Sequence, residues 1–216
     1  MYATLVGIGI GRRYSIDMTD NAKQVPQSAI ESNREALKWY NENYEYYDSL
    51  IEPHPSKNRE EALRKLTQNL PEDGTVLEFG SASGRDADFI ESLGLKVRRT
   101  DITQGFIDLQ AKRGKIVDTL DILTGEYGGP YDGIFAMCVM LHVKAEATDA
   151  VLAKVAASLK RGGVFLVSVR EVADERATAW SRDEFAERLQ RAGLKVIWDE
   201  RDFDGDQWIE FLAQKV

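Results

Sequence analysis

The chain has 216 residues, 43% of them apolar, and 36 acids against 28 bases give a net charge of −8. This suits one full α/β domain with an appendage. No apolar run approaches the length of a membrane span. The acidic balance disfavours nucleic acid as a partner, since a nonspecific binder would present a basic face.

Residues 1–27 are expected to form a flexible extension. Within it, Val6-Gly-Ile-Gly-Ile-Gly11 is rich in glycine, but no strong strand precedes it and no periodic helix follows. It is read as a flexible or edge segment rather than a phosphate loop, and it lacks the basic start of a signal peptide. Met18 is a plausible alternative translation start, which would leave residues 1–17 outside the core protein.

Ser28–Leu50 reads as a helix, ended by Pro53-His-Pro55 because proline cannot continue a hydrogen-bonded turn. A second helix is predicted from Ser56, a candidate cap, to Leu70, followed by a turn at Pro71–Gly74. Strands then alternate with helices. Strands are predicted near 75–79, 95–100, 115–119, 131–138 and 163–169, and helices near 84–93, 103–113, 146–160 and 181–192. Such alternation implies crossover connections and a parallel sheet. The end differs: Leu194–Arg201 and Gln207–Gln214 read as two strands joined by Asp202–Asp206, where Asp-Gly signals an antiparallel hairpin. Cys138 is the single cysteine and cannot form an internal disulfide. Its place in an apolar strand predicts a buried, inert thiol, and a reducing, cytoplasmic setting fits.

Val76–Phe89 carries the most information. It reads as an apolar strand, a turn bracketed by Gly80 and Gly84, and the start of a helix. Small residues in the turn let the backbone approach a ligand, and the helix points its free N–H groups at the same place. The turn departs from the dinucleotide pattern G-x-G-x-x-G, because Ala82 stands in the second glycine slot and Gly84 comes too soon. Glu78 at the strand end and Asp86 in the first helical turn are unfavourable beside a pyrophosphate. Asp101, closing the next strand, can accept both hydroxyls of a ribose. The expected ligand carries a ribose and a positive charge but no phosphates.

These residues resemble the first motif of the class I S-adenosylmethionine-dependent methyltransferases, through Glu78, Gly80, Ala82 and Gly84, with Asp101 matching the ribose acid. The resemblance continues at Tyr131–Val143, similar to the family's fourth strand and following loop. It extends to Leu159-Lys-Arg-Gly-Gly-Val-Phe-Leu-Val-Ser-Val169, similar to its L-K-x-G-G turn and fifth strand. It covers roughly Thr75–Val216 and rests on several motifs in order. It implies a Rossmann-like three-layer sandwich: a seven-stranded, mostly parallel sheet with an antiparallel terminal hairpin. A helical lid over 28–71 and a cofactor-binding domain over 72–216 follow from it, with S-adenosyl-L-methionine as cofactor and no metal.

By the same resemblance, Asp121 would face the adenine, with Asp118 competing because strand register is open. Ala136 and Met137 could line the methionine end or pack within the strand. The first helix carries Trp39, Tyr40, Tyr44, Tyr46 and Tyr47, and Tyr40, Tyr44 and Tyr47 share one face. Tyr40 and Tyr47 are the lid candidates over the cofactor. The alternative is that the rings pack on the sheet domain. Methyl transfer needs alignment of the partners, exclusion of water and, for a hydroxyl or ammonium acceptor, a base. His142 is the candidate base, while His54 between two prolines is expected at the surface. Tyr44, Arg170 and Glu171 are candidates for acceptor contact, and Arg170 could hold a carboxylate bidentately. The reading is methyl transfer to an oxygen or nitrogen of a small molecule or peptide. A nicotinamide-dependent oxidoreductase and a non-catalytic S-adenosylmethionine-binding protein are the alternatives.

Overall fold

A computed structural model describes residues 24–172, 177–202 and 207–216. The glycine-rich run at 6–11, the start at Met18 and residues 203–206 of the hairpin turn lie outside the described residues.

Alternating apolar residues build the seven-stranded sheet. The strands are β1 (Thr75–Glu78), β2 (Lys96–Asp101), β3 (Val117–Thr119), β4 (Tyr131–Ala136), β5 (Leu159–Arg170), β6 (Leu194–Asp202) and β7 (Trp208–Lys215). Their order across the sheet is β3-β2-β1-β4-β5-β7-β6. The five-strand part is parallel, and β7 runs antiparallel to both β5 and β6. This is the Rossmann-like, mostly parallel sheet with an antiparallel terminal hairpin that the resemblance implies.

The helices are α1 (Gln27–Leu50), α2 (Lys57–Thr67), α3 (Arg85–Ser92), α4 (Gln104–Lys112), α5 (Ala145–Ser158) and α6 (Arg182–Arg191). Caps fix several ends. Ser56 accepts from the Arg59 N–H at the start of α2, and Ser181 and Glu184 form a reciprocal capping box on α6.

Because successive strand side chains point to opposite faces, each central strand feeds two cores. Val76, Phe135, Val164 and Leu166 pack with Ala62, Leu63 and Leu66 of α2 and Ile90 of α3. Leu77, Ile134, Phe165 and Val167 pack with Val151, Leu152 and Val155 of α5 and Phe185 and Leu189 of α6.

α2 ends at Thr67, three residues short of the expected Leu70, and three strands depart from their expected bounds by more than one residue. β4 ends at Ala136, two residues early, because Cys138 takes a left-handed φ of 59° that turns the chain out of the extended run. β5 begins at Leu159 rather than near 163, since Lys160 and Gly162 lie on the exposed rim where a polar sequence masks an extended backbone. β3 has three residues and sits at the sheet edge. No helix among the described residues is long and apolar enough to cross a membrane.

Candidate active site

The parallel strands all end on one side of the sheet, and the loops leaving them surround a cavity of about 1110 Å³ counted out to its open mouth. It is lined by Glu78, Gly80, Ala82, Asp101, Asp121, Met137 and His142 from the loops, and by Tyr40 and Tyr47 from α1. Asn33, Arg59, Arg85, Thr103, Phe106 and Cys138 complete its polar and aromatic wall.

The glycine turn is held open from behind. Gly80 has φ 66° and Gly84 has φ 83°, conformations that favour glycine. A Cβ on Gly84 would stand 2.6 Å from Gln110 Oε1 and 2.7 Å from Arg99 Nη1. Gln110 donates to Ser81 Oγ and to the Ala82 carbonyl, at 2.9 and 3.0 Å. Arg99 is 3% exposed and ties Gln110, Asp88 and Glu91 together. Gly84 therefore shapes the turn from behind without lining the cavity. Ala82, at φ 44°, adopts the left-handed backbone without being glycine, and its N–H donates to Asp101 Oδ2 at 2.8 Å.

Three buried carboxyls line the cavity, Glu78, Asp86 and Asp101. Asp101 accepts from Ala82 and, through Oδ1, from the Thr103 N–H at 2.8 Å, so its side chain is fixed before any ligand arrives. Burial raises its proton affinity above that of an ordinary aspartate. Glu78 is 3% exposed, and its Oε2 has no hydrogen-bond partner among the described residues. Burial pushes the Glu78 carboxyl up to about 8, with the Asp86 and Asp101 charges adding to the shift and Ser81 and Arg99 opposing it. An acid poised this way is ready to meet a cation.

Asp121, rather than Asp118, reaches the cavity. Its Oδ1 accepts from the Leu123 N–H and its Oδ2 from Thr124 Oγ1, both at 2.8 Å, which fixes the carboxylate at the rim. Asp118 points away and pairs with Arg98 at 2.7 Å.

Arg59 and Cys138 join the cavity wall without a motif that marks them as site residues. Arg59 reaches from α2 under the cavity, with Asp86 Oδ2 3.1 Å, Cys138 Sγ 3.0 Å and Glu210 Oε1 3.9 Å away. Its signal was a charged residue continuing the apolar stripe of Ala62, Leu63 and Leu66. Cys138 is half-buried beyond the end of β4 and touches Arg59, instead of lying inert within a strand. Asp86 is held between Arg59 and Arg85, the latter at 2.8 Å.

One face of α1 closes the cavity. Tyr40 stacks edge-on against Tyr47, at 5.5 Å between ring centres, and against His142, also at 5.5 Å. The Tyr40 hydroxyl lies 3.2 Å from His142 Nε2. Tyr47 packs on Phe106 at 5.7 Å. Tyr46 is exposed, and His54 is too, as expected.

Four other candidates lie off the cavity wall. Tyr44 is spent on packing against Gly105, where a Cβ would meet its ring at 2.3 Å, and against Phe106. Ala136 is fully buried in the core on the α5 face. Arg170 sits near the Trp208 ring, with its carbonyl accepting from the Trp180 N–H. Glu171 is paired with Arg201 at 2.8 Å. Strand direction explains these outcomes: β5 hands Arg170 and Glu171 to the terminal hairpin, away from the glycine turn.

The sheet order, the cavity at the strand ends and the acidic residues around it are those of a nucleoside-dependent transferase. A family described as a methyltransferase domain matches residues 54–207. That span is well over half of the chain, so the chain belongs to this methyltransferase family, within the class I S-adenosylmethionine-dependent enzymes. No curated protein sequence matches it.

Among solved structures, a 1,6-didemethyltoxoflavin-N1-methyltransferase from Burkholderia thailandensis is 21% identical. That likeness covers 89% of this chain and 91% of the other, at a TM-score of 0.68. The magnesium protoporphyrin IX methyltransferase of Synechocystis PCC 6803 is 13% identical over 86% of this chain and 100% of the other, at a TM-score of 0.73. The [4+2]-cyclase SpnF is 14% identical over 72% and 80%, at a TM-score of 0.60. Likeness at these identities shows the fold, and the cyclase shows that the fold alone does not fix the reaction.

Proposed function

We propose that the chain transfers a methyl group from S-adenosyl-L-methionine to an oxygen or nitrogen of a small molecule or peptide. The observation that carries this is the buried Glu78 oxygen without a partner, set beside a glycine turn ringed by Asp101 and Asp121. Carboxylates in these places suit a ribose, an amine and a cation, and they oppose a pyrophosphate. The two structures described first were crystallised with S-adenosylhomocysteine bound, which supports the same cofactor here.

In this reading Asp101 accepts from the ribose hydroxyls and Asp121 from the adenine amine. Gly80, Ala82 and Gly84 form the turn, Met137 lines the methionine end, and Arg59 pairs with the methionine carboxylate. Glu78 meets the methionine ammonium. Tyr40 and Tyr47 cover the cofactor, so that within residues 28–71 α1 serves as a lid on the domain at 72–216, while α2 packs on the sheet and carries Arg59 beneath the cavity. When bound, S-adenosyl-L-methionine supplies an electrophilic methyl on a sulfonium whose sulfur retains the C–S bonding pair as the acceptor's lone pair forms the new bond.

The protein must align the acceptor, exclude water and remove a proton. His142 is the base. Its Nε2 takes a proton from the Tyr40 hydroxyl as that hydroxyl takes one from the acceptor, and the proton leaves to solvent after turnover. A reducing cytoplasmic setting suits the cavity thiol of Cys138, which would be exposed to oxidation elsewhere.

The test is a titration of the purified protein with S-adenosyl-L-methionine and separately with NADH, followed by a labelled-methyl screen against metabolite and peptide pools. Saturable binding of the first, none of the second, and label transfer are expected. NADH binding without S-adenosyl-L-methionine binding would overturn the proposal.

A further inference from the structure

α1 crosses the cavity mouth as a bar fixed at both ends. Near its start Ser28 Oγ donates to Glu146 of α5, and near its end Asp48 pairs with Arg113, just past α4, at 3.0 Å. The two halves of the bar cover different chemistry. Tyr47 and Ile51 lie over the side with Arg59, Arg85 and Asp86. Burial raises the Tyr47 hydroxyl pKa, with Cys138 and Asp86 adding to the shift and Arg59 and Arg85 opposing it.

The other half presents Asn33, Ala36, Leu37 and Tyr40, spaced to share one helical face, to the cavity that Val139 and His142 also line, with the Tyr40 hydroxyl 3.2 Å from His142 Nε2. Among the described residues, every formally charged side chain lining the cavity belongs to the glycine turn, α2, α3 or the ends of β1, β2 and β3. The α1 half at Asn33–Tyr40 offers apolar surface, the Tyr40 ring and two neutral hydrogen-bonding groups, the Asn33 amide and the Tyr40 hydroxyl. Arg170 and Glu171, which could have met a charged acceptor, are turned to the hairpin. A carboxylate, phosphate or ammonium brought here would lose its hydration without gaining a partner. A neutral ring would bury apolar area against Leu37 and Tyr40 while its polar edge met Asn33.

We propose that the acceptor is an uncharged aromatic compound bearing a hydroxyl or ring N–H, held between Asn33–Tyr40 of α1 and Val139–His142. This rests on the methyl-transfer reading of the same cavity, and it narrows the acceptor to one class.

The experiment uses the full chain saturated with S-adenosylhomocysteine and three matched probes: 2-naphthol, 2-naphthoate and 2-naphthylmethylammonium. Affinities are read by calorimetry and by saturation-transfer NMR. 2-Naphthol is expected to bind at least about tenfold tighter than either charged probe, since an unpaired buried charge costs more than the ~1.4 kcal/mol that a tenfold ratio represents. Asn33→Asp is expected to move the preference toward the ammonium while leaving S-adenosylhomocysteine affinity unchanged. A charged probe that equals or exceeds 2-naphthol, an unchanged order in Asn33→Asp, or no binding of any probe would overturn the acceptor class. Failure of S-adenosylhomocysteine itself to bind, measured first, would instead overturn the methyl-transfer reading beneath it, and this inference with it.

Discussion

Asp101 does two jobs with one carboxylate. It pins the Ala82 and Thr103 N–H groups, and its remaining lone pairs face the cavity. Asp101→Ala should therefore weaken S-adenosyl-L-methionine binding by about 10- to 100-fold, the worth of charge-assisted bonds. Asp101→Asn should hold one N–H and lose less. Calorimetric titration of both variants checks this, and unchanged affinity would mean that the ribose lies elsewhere.

Glu78 gives a pH signature. Its folded pKa of about 8 stands above the ordinary 4.5, so the folded state holds a proton that the unfolded chain releases. The stability this contributes is fully present below pH 4.5 and is lost as pH rises through about 8. The melting temperature of the ligand-free protein should fall over that window, and Glu78→Gln should flatten the fall. A cationic ligand reverses the preference, so binding below pH 8 should release a proton and tighten as pH rises. Calorimetry in buffers of different ionisation heat reads that release directly, and Glu78→Gln should abolish it.

At the scale of elements, α2 links the fold to the site through one side chain. Arg59 neutralises Asp86 and approaches Glu210 of β7. Arg59→Met should raise the KM for the methyl donor more than it lowers kcat. It should also destabilise the chain by about 3–5 kcal/mol, because buried carboxylates lose their partner. Steady-state kinetics and denaturant melts separate the two effects. On the facing side of the cavity, Tyr40 of α1 meets His142, the pair proposed to carry the acceptor's proton. His142→Ala and Tyr40→Phe should each lower kcat by about 10²-fold or more, with donor affinity nearly unchanged for His142→Ala. A full rate in both would remove the relay.

The same scale shows where sequence reading reached and where it stopped. The turn at 80–84, Asp101, Asp121, Tyr40 and Tyr47 converge on one cavity, as their motifs and spacing imply. Among the described residues the sequence pattern located the six α-helices and seven strands but not the short 3-10 helix at Met140–His142, because binary patterning is a local property that needs several turns to register. Arg170 and Glu171 were judged by proximity in sequence to β5, whereas the antiparallel pairing of β5 with β7 turns them aside. Cys138 was read as a strand residue because its neighbours are apolar. Its left-handed backbone follows from the turn it makes toward Ser168 and Arg59.

For the whole molecule, the sheet is a partition with a core on each face. Leu63, wholly buried between α2 and the sheet, supports the helix that carries Arg59. Leu63→Ala should cost about 2–5 kcal/mol of stability. It should also weaken donor binding at temperatures well below its melting point, as thermal melts and titrations would show. The sequence by itself determined the element order, the acidic strand ends and the class of donor, because these are written in short-range patterns and in the chemistry of one turn. Only the tertiary structure decided that Arg59 enters the site, that Tyr40 meets His142, and that the charged residues lining the cavity come from α2, α3 and the ends of β1, β2 and β3. Those contacts join residues tens to over a hundred positions apart, and no local pattern encodes which long-range partners a packed sheet brings together.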